Sequence, residues 1–283
     1  MSKIVVITGC SAGLGIAIAV QAAQKGHKVY ATMRDTSKRA DLDAATAAAN
    51  VGVEVLALDV ANTQSVNSCL EQIFAKEGRI DVLINNAGSG FVRSTEQASE
   101  EDIAWIMNVN FMGVVRTTKA VIGRMREARA GHIINISSVG GLVGQPFNEV
   151  YCASKFAVEG YTESLACYVQ PTFGINFTTV EPGGIRSEFA NAAFAHVNAS
   201  GGMLEDEYLP IIQKYIAGAR ARGDSAYQTC DEVAEVVIDC MEAKNPPVRT
   251  RTSDWSNQFC ELKTAADPDG LLLQKQVYDT FLA

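Results

Sequence analysis

The sequence predicts a doubly wound α/β fold, a mostly parallel sheet with helices on both faces. Three observations carry this. Short β-branched runs that are apolar on both faces recur along the chain, the pattern of parallel strands buried between helix layers. Segments of helical periodicity separate them. A glycine-rich turn follows the first run directly and opens the first helix.

In chain order the strands are "IVVIT" (4–8), "KVYATM" (28–33), "EVLALDV" (54–60), "DVLINN" (81–86), "HIINIS" (132–137) and "INFTTV" (175–180). Helical periodicity covers 14–25, 36–49, 63–77, 100–129 and 148–170. Pro171 is expected to stop the last of these, because its ring removes a backbone donor and crowds the preceding turn. From about residue 188 the alternation lapses. Residues 188–229 read as a small-residue loop followed by one helix, too long for a mere connection. They are expected to form a helical lid after the sixth strand, over a substrate. A helix at 231–243, a short strand at 248–252 and a helical C-terminal extension at 253–283 complete one domain spanning 1–283.

With 283 residues, 47% of them hydrophobic, the chain can close a core without disulfides or metals. A net charge of -8 argues against broad affinity for nucleic acid, whose phosphates reward basic surfaces. Seven Cys, an odd number with no CxxC pair, read as buried free thiols in a reducing compartment. His27, His132 and His196 stand apart from other ligand types, so no metal is expected. Without a leader pattern or an apolar run long enough for a bilayer, the reading is a soluble cytoplasmic protein with no membrane contact.

The turn "TGCSAGLG" (8–15) leaves glycines at 9, 13 and 15 and lets backbone N–H groups approach a pyrophosphate at the positive end of a helix. Its spacing is GxxxGxG rather than the generic GxGxxG. Farther on, "EVYCASKFAVEG" (149–160) places Tyr151 and Lys155 four apart, on one face of a helix. A phenol has a pKa near ~10, so a proton shuttle at neutrality needs it lowered by roughly 3 units, about 4 kcal/mol. A cation about 4 Å away supplies that at an effective dielectric near 20. On this reading Lys155 is expected to acidify Tyr151.

Together "TGCSAGLG", "NNAG" (85–88), "NVNFMG" (108–113), "ISS" (136–138), "YCASK" (151–155) and "PGGIRS" (182–187) resemble the short-chain dehydrogenases/reductases, in that family's order and spacing. The resemblance is close from residue 3 to about 190 and implies a Rossmann-like sheet with a catalytic tetrad of Asn110, Ser138, Tyr151 and Lys155. Ser137 is the alternative to Ser138, one place early. It also implies a dinucleotide held by Gly9, Ser11, Gly13, Leu14 and Gly15 in the turn, and by Asp59 and Val60 at the third strand's end. Asn86, Ala87, Gly88, Tyr151, Lys155, Pro182, Gly183, Ile185 and Ser187 complete that set. At the end of the second strand Met33 takes the usual acidic position and Arg34 follows, which with Ser11 favours NADP(H). Asp35, two residues beyond Met33, is the competing group and would favour NAD.

Each of these residues has a plain structural reading on its own, and jointly those readings are improbable. The combination with "YATMRD" and the tail through "NPPVRTRTSDW" resembles the NADP-preferring branch that includes hydroxysteroid and retinol dehydrogenases. The implied activity interconverts a secondary alcohol and a ketone or aldehyde on a mostly apolar small molecule, in a homodimer or homotetramer. Alternatives are a non-catalytic dinucleotide-binding regulator, an NAD-dependent alcohol dehydrogenase of the same family, and a sugar-nucleotide epimerase of its longer branch.

Overall fold

A computed structural model describes residues 2–199, 201–221 and 227–281. The elements are β1 (Ile4–Thr8), α1 (Leu14–Gln24), β2 (Lys28–Met33), α2 (Ala40–Ala48), β3 (Glu54–Ala57), α3 (Thr63–Glu77), β4 (Val82–Asn85) and α4 (Glu100–Met107). After a π-helical turn, Asn108–Met112, come α5 (Gly113–Ala128), β5 (Gly131–Ile136), α6 (Glu149–Phe173), β6 (Ile175–Glu181) and β7 (Gly184–Ile185). The chain closes with α7 (Phe189–Ala199), α8 (Leu209–Ala221), β8 (Tyr227–Gln228), α9 (Cys230–Glu242), β9 (Arg249–Arg251), α10 (Asp254–Thr264) and α11 (Leu271–Phe281).

Seven strands form one parallel sheet in the order β3-β2-β1-β4-β5-β6-β9. The order reverses between β1 and β4, and such a switch point leaves a crevice beyond the strand ends. Alternation along β1 divides the core: Val5 and Ile7 pack with Ile18 of α1 and Val237 of α9, while Ile4 and Val6 pack with Leu70 of α3, Val121 of α5 and Leu165 of α6. Both sheet faces are therefore covered, as the double-sided apolar strands require.

Two buried asparagines fix the helices that flank the crevice. Asn85 Nδ2 donates to Asn135 Oδ1 at 2.8 Å, Thr117 Oγ1 of α5 donates to Asn85 Oδ1 at 2.7 Å, and Asn135 Nδ2 donates to Thr162 Oγ1 of α6 at 2.8 Å. All four side chains are buried, so each hydrogen bond is made where water cannot replace it.

Three expectations are corrected. Helix α6 passes through Pro171 and ends where Gly174, at φ 72°, donates its N–H to Gln170 O at 2.9 Å. A proline in the final turn forfeits one helical bond, and the left-handed glycine makes the stop. The segment read as a small-residue loop holds a second helix, α7, whose alanines favour helix. The 100–129 pattern is interrupted by the π-turn at Asn108–Met112. Of the 188–229 segment, residues 200 and 222–226 lie outside the described residues, as do 282 and 283 of the C-terminal extension. No helix among the described residues is long and apolar enough to cross a membrane.

Replacing Asn135 with Ala should cost about 3 kcal/mol in urea unfolding, because Asn85 loses its acceptor in a dry site while a void opens beside Thr162. A loss under about 1 kcal/mol would show that the asparagine ladder does not hold α6 to the sheet.

Candidate active site

At the switch point the turn after β1 is pressed against the loop after β4. Gly9 has φ +76°, and a Cβ there would lie 2.8 Å from Ala87 Cα; one on Gly15 would lie 2.3 Å from Gly9 O. Neither close approach tolerates a side chain. Asn86 Nδ2 donates to Thr8 O at 2.9 Å and Gly9 O at 3.0 Å, while Thr8 Oγ1 accepts the N–H groups of Asn86 and Ala87, each at 3.0 Å. Thr8 was missed in the sequence, where it reads only as a strand end. Gly13, at φ 58°, N-caps α1 without a side-chain hydrogen bond. The first N–H groups of α1, at Leu14 and Gly15, thus meet no side-chain cap, an arrangement that fits an anionic group. Ser11 is half-buried in the same turn.

Met33 is buried at the end of β2 and Arg34 emerges exposed immediately after it. Asp35 turns to its own chain: Oδ1 accepts from Ser37 N at 3.0 Å and from Ser37 Oγ at 2.7 Å, bonds that hold its carboxyl below its ordinary value. Beyond β3, Asp59 Oδ1 accepts the Ala61 N–H at 3.0 Å, and the buried Val60 gives its carbonyl to Arg116 at 3.1 Å. Asn62, not Asp59, caps α3 through Ser65 N.

The four tetrad residues converge from three elements. Asn110 lies in the π-turn, 1% exposed; Oδ1 accepts Ser89 N at 2.8 Å, and Nδ2 donates to Ser89 O at 2.9 Å and Ser154 Oγ at 3.1 Å. Ser154 in turn donates to Tyr151 O at 2.6 Å, so this small residue ties Asn110 to the first turns of α6. A Cβ on Gly88 would meet Asn110 Oδ1 at 3.3 Å and Lys155 Nζ at 3.7 Å. Ser138, at the end of β5, caps a short turn through Gly140 N at 3.0 Å and lies beside the Tyr151 hydroxyl. Ser137 is buried on the other side of that turn, against Gly141 and Glu159.

The expected acidification of Tyr151 by Lys155 is corrected. Lys155 Nζ donates to Ile136 O at 2.9 Å and stands 5.8 Å from the centroid of the Tyr151 ring. Burial pushes the Tyr151 phenol up to about 12, opposed by the Ser138 hydroxyl. Burial also pushes the Lys155 ammonium down to about 8, opposed by the charge of Glu159. Desolvation penalises phenolate and ammonium alike, and it is the leading influence on each group here.

The segment after β6 closes the far side. Pro182 O accepts Val139 N at 3.0 Å, and a Cβ on Gly183 would lie 2.9 Å from Ser256 Oγ. Ile185 lies in β7, which pairs with β8, and a Cβ on Gly13 would stand 3.4 Å from Ser187 Cβ, so this segment returns to the glycine turn. Strands of two residues leave no readable period. Above Tyr151 sits Phe189 of α7, with ring centroids 6.0 Å apart. Helix α7 is pinned to α4 by His196, which stacks on Trp105 at 4.4 Å and pairs with Asp102 at 2.9 Å. Residues 94 positions apart carry no local pattern that would join them. Phe147 supports α8 through Tyr208 and Tyr215. The seven cysteines are free, and Cys152 is buried with its thiol pushed up by that burial.

Known proteins were compared with this chain. A family model described as short chain dehydrogenase matches residues 3–198. The 3-ketodihydrosphingosine reductase of Bacteroides thetaiotaomicron is 40% identical over 88% of this chain and 87% of its own. Retinol dehydrogenase 8 of Bos taurus is 39% identical over 95% of this chain and 87% of its own. The 17-beta-hydroxysteroid dehydrogenase type 1 of Homo sapiens is 37% identical over 89% of this chain and 77% of its own. Among solved structures, a short-chain dehydrogenase from Streptomyces avermitilis superposes with a TM-score of 0.79 at 28% identity, covering 99% of both chains. With that fold, those motifs and these relatives, the chain belongs to the short-chain dehydrogenase/reductase family of oxidoreductases.

Proposed function

We propose that the protein is an NADP(H)-dependent oxidoreductase that interconverts a secondary alcohol and a ketone, or an aldehyde, on a mostly apolar small molecule. The convergence of Ser138, Tyr151 and Lys155 beneath Phe189 carries the reading. With its pKa pushed up to about 12, the Tyr151 phenol is protonated at neutral pH, the form that can give a proton to a carbonyl oxygen. Ser138 is placed to hold that same oxygen, and Lys155 nearby favours the phenolate left behind. A bound nicotinamide supplies the hydride. In alcohol oxidation the phenol would first have to give up its proton, and the resulting phenolate, favoured by Lys155, would take the alcohol's proton.

The uncapped end of α1 is the natural seat for the pyrophosphate, with Gly9, Ser11, Gly13, Leu14 and Gly15 around it. Asp59, Val60, Asn86, Ala87 and Gly88 would line the adenosine and ribose path, and Pro182, Gly183, Ile185 and Ser187 the nicotinamide end. Preference for NADP(H) rests on Arg34, which is exposed where a 2′-phosphate would lie, while Asp35 spends its carboxylate on Ser37. Helices α7 and α8 act as the substrate lid. The exposed Phe189 and Leu204, with Phe147 beneath, favour an apolar substrate, as do the molecules named in the relatives' descriptions. Met112, Phe156 and Tyr168, exposed on α6 and the turn before α5, favour a homodimer or homotetramer, and we read the enzyme as cytoplasmic.

Tyr151→Phe should bind NADPH nearly as the parent does and lose roughly 10²- to 10⁴-fold in kcat on any ketone the parent reduces. Unchanged turnover removes Tyr151 from the chemistry. Arg34→Ala should raise the Kd for NADPH by about ten- to a hundredfold and leave that for NADH within a factor of about two, read by titrating cofactor fluorescence. Equal losses for both cofactors overturn the preference.

A further inference from the structure

Behind the active site a run of buried charge crosses the sheet that the proposed proton chemistry does not use. Glu159 follows Lys155 by one helical turn on α6, and its carboxylate oxygen Oε1 is sealed from solvent without a hydrogen-bond partner among the described residues. Its other oxygen, Oε2, accepts from Thr179 Oγ1 of β6 at 2.8 Å. Thr179 Oγ1 also lies 3.4 Å from Glu181 Oε1, and Arg251 of β9 donates to Glu181 Oε2 at 3.2 Å. Arg251 then reaches Asn257 Oδ1 at 3.0 Å and Pro268 O at 2.7 Å near the surface. The charged and titratable groups facing Glu159 are Lys155 on its own helix, Glu181 on β6 and Cys260 on α10, with Arg251 and Arg249 of β9 acting on Glu181.

We propose that Glu159 is a positioning residue that acts through Lys155: its carboxyl is the buried counter-charge that decides up to what pH the active-site ammonium keeps its proton. The proposal rests on the reading of Lys155 as part of the proton machinery. Two carboxyls share this dry region with a single guanidinium salt-bridged to the farther one, so the nearer carboxyl bears the repulsion. Burial, and then Glu181, push Glu159 up to about 8, and an oxygen without a partner is tolerated better on a neutral acid than on an anion. The sign follows. Below that range Glu159 is neutral and lends Lys155 nothing; as pH rises through it the carboxylate appears and holds the ammonium charged to higher pH.

Glu159→Gln keeps the shape and removes the charge, so Lys155 should lose its proton about one pH unit lower. Glu181→Gln removes the repulsion and lets Glu159 ionise earlier, so the Lys155 midpoint should move upward. Lys155 is followed by NMR of protein labelled with ¹³Cε-lysine, its resonance assigned by loss in Lys155→Met, and the alkaline limb of kcat for ketone reduction is recorded in parallel. Opposite shifts in the two variants support the proposal; an unmoved Lys155 midpoint in Glu159→Gln, or shifts of one sign in both, overturns it. If Glu181→Gln does not fold, Glu159→Gln decides alone. If the parent reduces no ketone the proposed activity fails, while the NMR titration still tests the charge coupling.

Discussion

The cost of taking ionisable groups out of water governs this molecule's functional end. Lys155 is 6% exposed and Tyr151 is half-buried, and burial moves both toward their neutral forms. An isolated pair of this kind would be a poor place to keep charge. It is held by fixed partners: Ile136 O receives the ammonium, and Asn110 and Ser154 fix the turn that carries the tyrosine. Preorganisation of this sort is what lets a dry site act on a substrate without first rearranging.

The frame serves the same end. The sheet order reverses between β1 and β4, and the two loops facing that reversal are joined through Thr8, Gly9 and Asn86 rather than through side-chain packing. Glycines at 9 and 15 are needed there because backbone meets backbone, with no room for a Cβ. On the helix side, the Asn85–Asn135 pair spans β4 and β5 and reaches Thr117 and Thr162, so the helices bearing the reactive groups are keyed to the sheet by polar contacts that tolerate no slippage.

Much of this was legible in the residues. Strand cores follow from double-sided apolar runs such as "IVVIT", and the family resemblance from "NVNFMG", "ISS" and "YCASK" singled out Asn110, Ser138, Tyr151 and Lys155, which the fold brings to one end of the sheet. What could not be read depends on distance through space or on competition between terms. His196 of α7 finds Trp105 and Asp102 of α4, and Glu159 of α6 meets Glu181 of β6 through Thr179, with nothing local to announce either meeting. The alanine-rich "FANAAFAHVNA" reads as a small-residue loop, yet alanine is also the strongest helix former, and the stretch folds as α7. The ionisation of Tyr151 was misjudged because a pairwise Coulomb sum omits desolvation, which is the leading influence here.

On the proposed function, a site that excludes water and also moves protons faces two opposed demands. The π-turn at Asn108–Met112 meets part of this by widening the helix at Asn110, so that its side chain reaches Ser89 and Ser154 instead of lying along the helix surface. Helix α7 meets the other part: it brings Phe189 over Tyr151, and near its far end His196 fastens it to α4 through Trp105 and Asp102. Burial of the phenol disfavours the phenolate, so on the proposed reading that form has to be stabilised from within the site, where the Lys155 ammonium stands 5.8 Å from the Tyr151 ring.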